Sequence, residues 1–306
     1  MHRGILVAAA AAADVAAAAA DVRVRELTDL ADLEAARRLF DEIWRPSPTN
    51  PAFTLELLRA LTKAGNYAAG AYDGSLLVGA CVGFFGPPAE RALHSHVAGV
   101  SAAASGRSVG YALKLHQRAW ALDRQVTEIA WTFDPLVRRN AYFNLVRLGA
   151  RPTEYLPNFY GGMTDGINAG TDSDRLLVRW DLRSPEVAAA CAGTRRQASA
   201  TAELSHGARA VLSTGADGWP VSRTRAADSP GSVLLVAVPA DIEGMRASDP
   251  ACADAWRAGV RAALAPALAR GGRVTGFDKA GWYVVEEPTA VSPAAPNPPR
   301  HKEESP

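Results

Sequence analysis

The sequence predicts an α/β or α+β fold: a mixed sheet with helices on its faces, followed by a smaller mixed unit. Three observations carry that expectation. Short apolar-polar alternations interleave with longer stretches of helical periodicity between residues 22 and 182, in the order β-α-α-β-β-β-α-β-α-β-β. Two of the strands are joined by Asp73-Gly74, the turn chemistry of a tight hairpin. The chain has 306 residues, 48% of them hydrophobic, enough to bury the core of one large or two ordinary domains.

The elements follow in order. Val22–Leu27 alternates as a first strand, and Thr28 or Asp29 can cap the helix after it. That helix repeats Leu30, Leu33, Ala36, Leu39, Phe40 and Ile43 at helical spacing and is broken by Pro46, Pro48 and Pro51. A second helix fits Phe53–Ala64. Tyr67–Tyr72 and Leu76–Phe85 form the hairpin, and Ala92–Val100 is the next strand. A helix is expected over Val109–Asp123, a strand over Glu128–Phe133, and a helix over Arg138–Leu148 that stops at Gly149. Tyr155–Tyr160 and Leu176–Leu182 complete the set, and Pro185 ends it. Beyond it, Ala208–Ser213 and Val233–Val238 read as strands. Pro250–Arg270 reads as a long helix that Pro266 should kink or end, and Arg273–Glu286 as one or two final strands. The expected organisation is an alanine-rich tail (1–20), a main domain (21–184), a C-terminal α/β extension (185–287) and a disordered tail (288–306).

Charge is balanced, with 33 basic and 32 acidic residues, which argues against nucleic acid or an anionic membrane as partner. The three cysteines are far apart and odd in number, as suits a reducing compartment, and the location expected is cytoplasmic. Arg3, Ile5-Leu6-Val7 and the alanines outline a secretory signal, but Asp14 interrupts the run and apolar bulk is thin, so a frayed helix-prone tail is the favoured reading.

The chain is organised around Leu93–Leu113, LHSHVAGVSAAASGRSVGYAL, in which a strand enters a small-residue loop that opens a helix. Such loops bind phosphate, because small residues let the backbone approach and the free N–H groups of the first helical turn point at the anion. His94 and His96 lie two apart on the strand and so share one face. Imidazole can accept a proton near neutral pH, so either is a candidate base, and either can equally be a hydrogen-bonded core histidine. No acidic third ligand lies nearby, so no metal is expected.

This element order, with a phosphate-type loop after the fourth strand, resembles the GNAT superfamily of acyl-CoA-dependent N-acyltransferases. Ala98-Gly99-Val100 matches that superfamily's strand end, and Ser105-Gly106-Arg107-Ser108-Val109-Gly110 falls on its loop, with Ser105 in place of Gln or Arg and Ser108 in place of the first glycine. GYALKLHQRAW, WTFDPL, RNAYFNLVRLGA, LPNFYG and SDRLLVRWDL resemble a branch of predicted GNAT acetyltransferases that also carries a late helix like ACADAWRAGVRAAL and a strand near GWYVV. The resemblance implies a mixed, mostly antiparallel sheet with helices on both faces, and an acyl-CoA, by default acetyl-CoA, as co-substrate; a succinyl donor stays open, because Arg138 or Arg139 could clamp a carboxylate on the acyl group or on the acceptor. It implies that Ala98 and Val100 pair with the pantetheine arm, that a backbone N–H near Ala98 or Gly99 faces the developing oxyanion, and that Ser105, Gly106, Arg107, Ser108, Val109 and Gly110 hold the pyrophosphate. His94 and His96 are similar in placement to the His-x-His of arylalkylamine N-acetyltransferases, with His96 the first choice of base.

The superfamily's thiolate-protonating tyrosine falls on Leu145 here, and Tyr142, one turn earlier, is the substitute candidate. Trp131, Asp134, Arg139, Asn140 and Asn144 are the expected acceptor-side residues, with helix capping the competing role for Asp134 and a solvated surface the competing place for Arg139. The expected partner is a small-molecule amine, and a homodimer stays open. The competing reading is a non-catalytic GNAT-like module that binds an acyl-CoA or a protein, which Ser105, Ser108 and Leu145 favour.

Overall fold

A computed structural model describes residues 2–45, 53–161, 172–195, 197–223 and 231–288. The prolines at 46, 48 and 51 and the tail from 289 onward therefore lie outside the described residues.

The first sheet has seven strands in the order β1-β2-β3-β4-β5-β7-β6. They are β1 (Arg23–Glu26), β2 (Tyr67–Asp73), β3 (Leu76–Phe85), β4 (Ala92–Val100), β5 (Glu128–Phe133), β6 (Arg151–Leu156) and β7 (Arg175–Asp181). Every neighbouring pair is antiparallel except β4 with β5. This is the mixed, mostly antiparallel sheet with helices on both faces that the sequence leads one to expect. On one face lie α2 (Leu30–Trp44) and α3 (Leu55–Lys63), capped by Asp29 and Thr54, whose side chains accept from the Asp32 and Leu57 amides. Leu33, Ala36, Leu39, Phe40 and Leu58 pack there against Ala68, Ala80 and Val82. On the other face lies α4 (Val109–Asp123), with α5 (Arg138–Ala141) continuing as a π-helical turn, Tyr142–Arg147.

Three expectations change. The alanine-rich start is α1 (His2–Ala19), docked along α4. Ala9, Ala13, Ala16 and Ala20 are buried at spacings of three and four residues, and their small side chains let the two helices approach. The strand expected over Tyr155–Tyr160 is displaced to β6, because Asn158 takes a left-handed turn at φ 44°. Pro266 lies inside α9 (Pro250–Ala269), which runs on to Ala269.

The C-terminal unit is a five-stranded sheet, β11-β12-β10-β8-β9. It comprises β8 (Arg209–Thr214), β9 (Pro220–Ser222), β10 (Val233–Ala237), β11 (Arg273–Asp278) and β12 (Trp282–Glu286), with α6 (Pro185–Cys191), α7 (Ala200–Ser205), α8 (Ile242–Ser248) and α9. Trp256, Val260 and Leu264 of α9 are fully buried. This unit grips the β5–β7–β6 half of the first sheet. Arg246 pairs with Asp134 in the buried interface, Tyr283 donates its hydroxyl to the Pro135 carbonyl at 2.8 Å, and Arg261 binds Asp172 at 2.8 Å and Asp174 at 2.6 Å.

Removing one partner of a buried ion pair leaves the other charge uncompensated, so Arg246→Ala should cost about 3–5 kcal/mol in urea unfolding. A loss below about 1 kcal/mol, the range of an exposed pair, would show that the Asp134 contact does not hold the two units together.

Candidate active site

The site begins where two parallel strands part. β4 and β5 share only three register pairs, Ala92–Glu128, Leu93–Ile129 and His94–Ala130. β5 then runs on against β7 to Phe133, while β4 runs on against β3 to Val100. From Ser95 to Val100, β4 has no strand on its β5 side. Ala98, on a central strand, is consequently exposed.

A β-bulge accompanies the separation. In the β3–β4 register Ser95 opposes Gly83 and Val97 opposes Val82, so His96 is the extra residue. A bulge bends its strand and re-aims its side chains. Gly83 permits it: a Cβ there would lie 2.8 Å from the His94 carbonyl oxygen. Gly99 is constrained from the opposite side, where a Cβ would meet Ile43 Cδ1 at 2.7 Å and Trp44 Cη2 at 2.8 Å. Glycine at both positions lets α2 and β3 clasp the bent strand.

On the α2–α3 face the two histidines come together. Their rings are 6.0 Å apart; His94 lies 5.0 Å from Phe84, and His96 packs edge-on against Phe53 at 5.2 Å. Burial, then His96, then the Lys114 charge push the His94 pKa down to about 4. Burial against these rings also lowers the pKa of His96, which nevertheless keeps one side open to solvent. Ala130 pairs with His94, so Thr132, two residues further on, presents to the same face; its hydroxyl is 3.1 Å from that of Tyr160.

On the α4 face the vertex of the wedge is polar. Lys114 donates to Ser95 Oγ at 2.8 Å and to Gln117 Oε1 at 3.0 Å, and its ammonium sits 3.8 Å from the Trp131 ring centroid. Trp131 in turn donates its indole N–H to Asn144 Oδ1 at 3.2 Å. Lys114 and Gln117 were not among the sequence candidates, since a lysine in a helix ordinarily reads as solvated. Phe53, Phe84 and Thr132 were missed for the same kind of reason, as apolar or neutral residues whose neighbours are distant in sequence.

The loop joins this vertex to α4. Gly106 and Ser108 have φ of 82° and 64°, and the amides of Gly106, Ser108, Val109 and Gly110 have no hydrogen-bond acceptor among the described residues. Ser105 donates its amide to the Ala102 carbonyl. Arg107 departs from its expected role: it pairs with Asp73 at 2.7 Å and donates to the Ala20 and Asp21 carbonyls, holding the end of α1.

The acceptor-side candidates divide. Trp131 and Asn144 meet at the vertex. Asp134 and Arg139 are engaged by protein partners: Asp134 accepts from the Leu136 amide and pairs with Arg246, and Arg139 pairs with Glu243 of α8. Their ion-pair partners lie over a hundred residues away in sequence, so no local pattern marks those pairs. Asn140 is half-buried on α5, and Tyr142, also half-buried, opens the π-helical turn. Leu145 is buried in the core. Among the described residues no group of three or more His, Cys, Asp or Glu is arranged to hold a metal, and no helix is long and apolar enough to cross a membrane. A cavity of about 290 Å³ lies away from the wedge, between the π-helical turn and β11.

Solved structures resemble the chain over about half its length. One is a putative acetyltransferase of the GNAT family from Desulfovibrio desulfuricans, at 13% identity and TM-score 0.42, covering 53% of this chain and 99% of that one. Another is the ribosomal-protein-S18-alanine N-acetyltransferase from Escherichia coli, at 12% and 0.43, covering 53% and 95%. A third is an N-acetyltransferase from Staphylococcus aureus Mu50, at 15% and 0.44, covering 53% and 99%. No protein-family model and no curated protein sequence matches the chain.

Two outcomes follow from the backbone and the imidazoles. Ser108 holds a left-handed conformation that disfavours a Cβ, so Ser108→Gly should raise stability by up to about 1 kcal/mol in chemical denaturation; a loss would show that its hydroxyl outweighs the strain. With its pKa held below the ordinary 6.5, His94 stays neutral in the folded chain while the unfolded chain takes up a proton. Its contribution to stability is therefore lost as pH falls from 6.5 toward about 4, and the His94 ring resonances should titrate only near the lower end of that window. A titration near 6.5 would contradict the burial argument.

Proposed function

We propose that the chain is an acyl-CoA-dependent N-acyltransferase that moves a short acyl group directly to a small amine or amino-acid-like acceptor. One observation carries the reading: β4 leaves β5 at His94 and its β5-side edge stays open to Val100 while β3 pairs the other edge, beside a loop with four unpartnered amides. An open edge inside a sheet is costly unless something completes it, and an extended amide-bearing arm can do so as an added strand would.

Each residue then has a task. Ala98, Gly99 and Val100 present backbone groups to the pantetheine arm, and an N–H near Ala98 or Gly99 faces the oxygen on which charge develops. Gly106, Ser108, Val109 and Gly110 present amides to the pyrophosphate at the start of α4. These loop amides carry the phosphate contact, because Arg107 is engaged by Asp73 and α1. His96 takes the amine proton: it is open on the acceptor face, whereas His94, at about 4, is a weak base near neutral pH. Tyr142 is the candidate proton donor to the leaving thiolate. No covalent enzyme intermediate is involved; Cys81 is buried and its thiol pKa is raised, the opposite of an activated nucleophile.

Calorimetry with CoA, followed by thiol release over an amine panel, tests this. CoA should bind, and His96→Ala should lower turnover by about 10²–10⁴-fold with CoA affinity kept within about twofold. Binding without release on any amine would favour a non-catalytic acyl-CoA module, and absence of CoA binding would overturn both readings.

A further inference from the structure

The vertex of the wedge holds a charge with no opposite charge beside it. Lys114 is 4% exposed and Gln117 fully buried. Among the described residues no carboxylate pairs with Lys114; its partners are a hydroxyl, an amide oxygen and an indole face. A buried ammonium in such company is expensive, and burial pushes its pKa down to about 8. Replacing it with a methionine or leucine would give an apolar core at no such cost.

A second observation points to the same place. Gln117 spends its amide oxygen on Lys114 and leaves Nε2 buried with no acceptor. That nitrogen would lie 3.3 Å from a Cβ on Gly83, and Gly83 is the register partner of Ser95. Lys114 and Gln117 therefore bring a cation and an unused N–H donor to the point where β4 leaves β5. Both groups lack an anionic acceptor, and a carboxylate would satisfy them together.

Under the acyltransferase reading above, on which this inference rests, the acyl chain extends from the backbone near Ala98 toward that vertex. Ser95 is three residues back along the strand, about 10 Å at an extended rise and less across the bulge. We propose that Lys114, with Gln117, is the specificity-determining contact for an acyl donor whose short chain ends in a carboxylate, of the malonyl or succinyl class. The carboxylate accepts from the Lys114 ammonium and from Gln117 Nε2, while Trp131 walls the chain and Asn144 fixes the Trp131 ring.

Calorimetry on the full chain with CoA, acetyl-, butyryl-, malonyl- and succinyl-CoA tests this without reference to turnover. The wild-type chain should bind malonyl- or succinyl-CoA about tenfold or more tighter than acetyl- and butyryl-CoA. Lys114→Met should remove that preference, so that the variant binds malonyl- and succinyl-CoA no more tightly than it binds acetyl- and butyryl-CoA. Should that variant not fold, the wild-type panel still decides, because butyryl-CoA matches the chain length of succinyl-CoA without its charge. Equal wild-type binding of acidic and neutral donors, or a preference that survives Lys114→Met, overturns the inference and leaves the acyltransferase reading standing. No binding of CoA or any thioester overturns both.

Discussion

Everything in the candidate site depends on one broken pairing. β4 and β5 begin as ordinary parallel neighbours and part after His94. The parting exposes polar backbone in the middle of a sheet, which a protein ordinarily avoids. Here it is enforced by packing on both sides: the bulge at His96 bends β4, Gly83 admits the bend, and Gly99 lets Ile43 and Trp44 of α2 press on the strand beyond it. The bend also sorts the side chains. The imidazoles gather on the α2–α3 face, and Ser95 with Lys114 on the α4 face, so the two polar groups fall on opposite sides of one strand.

A sheet joined across its middle by three register pairs needs bracing on each half. The β5–β7–β6 half is gripped by the C-terminal unit through Arg246–Asp134, Tyr283–Pro135 and Arg261–Asp174. On the other half, α1 runs along α4, and Arg107 ties the end of α1 to the Asp73 turn of the hairpin. Two additions to the mixed sheet thus hold the two sides of the wedge, which accounts for residues that look functional in sequence doing structural work. Asp134 and Arg139 hold the far wall, and Arg107 holds the near one.

The strands and helices of the first sheet were legible because each buries one face, and a one-sided face leaves a period in the sequence. The His94–His96 pair and the loop at Gly106–Gly110 were legible as local patterns, the first from strand alternation and the second from small residues at a helix start. What was illegible depends on distant partners. A helix with alanine at ten of its 18 residues has little apolar contrast to read, so the docking of α1 follows only from the presence of α4. The bulge leaves no mark in HSHVAGV, and its one trace is a glycine on the neighbouring strand. Lys114 reads as a surface lysine until Trp131 and Ser95 are placed around it.

On the reading proposed above, the open backbone of β4 and the amides of the following loop form one CoA-binding surface. Amide hydrogen exchange with and without CoA tests it most directly. New protection should be confined to 97–100 and 106–112, with the C-terminal unit unchanged. Unchanged exchange there at saturating CoA, or protection centred on the cavity between the π-helical turn and β11, would contradict it.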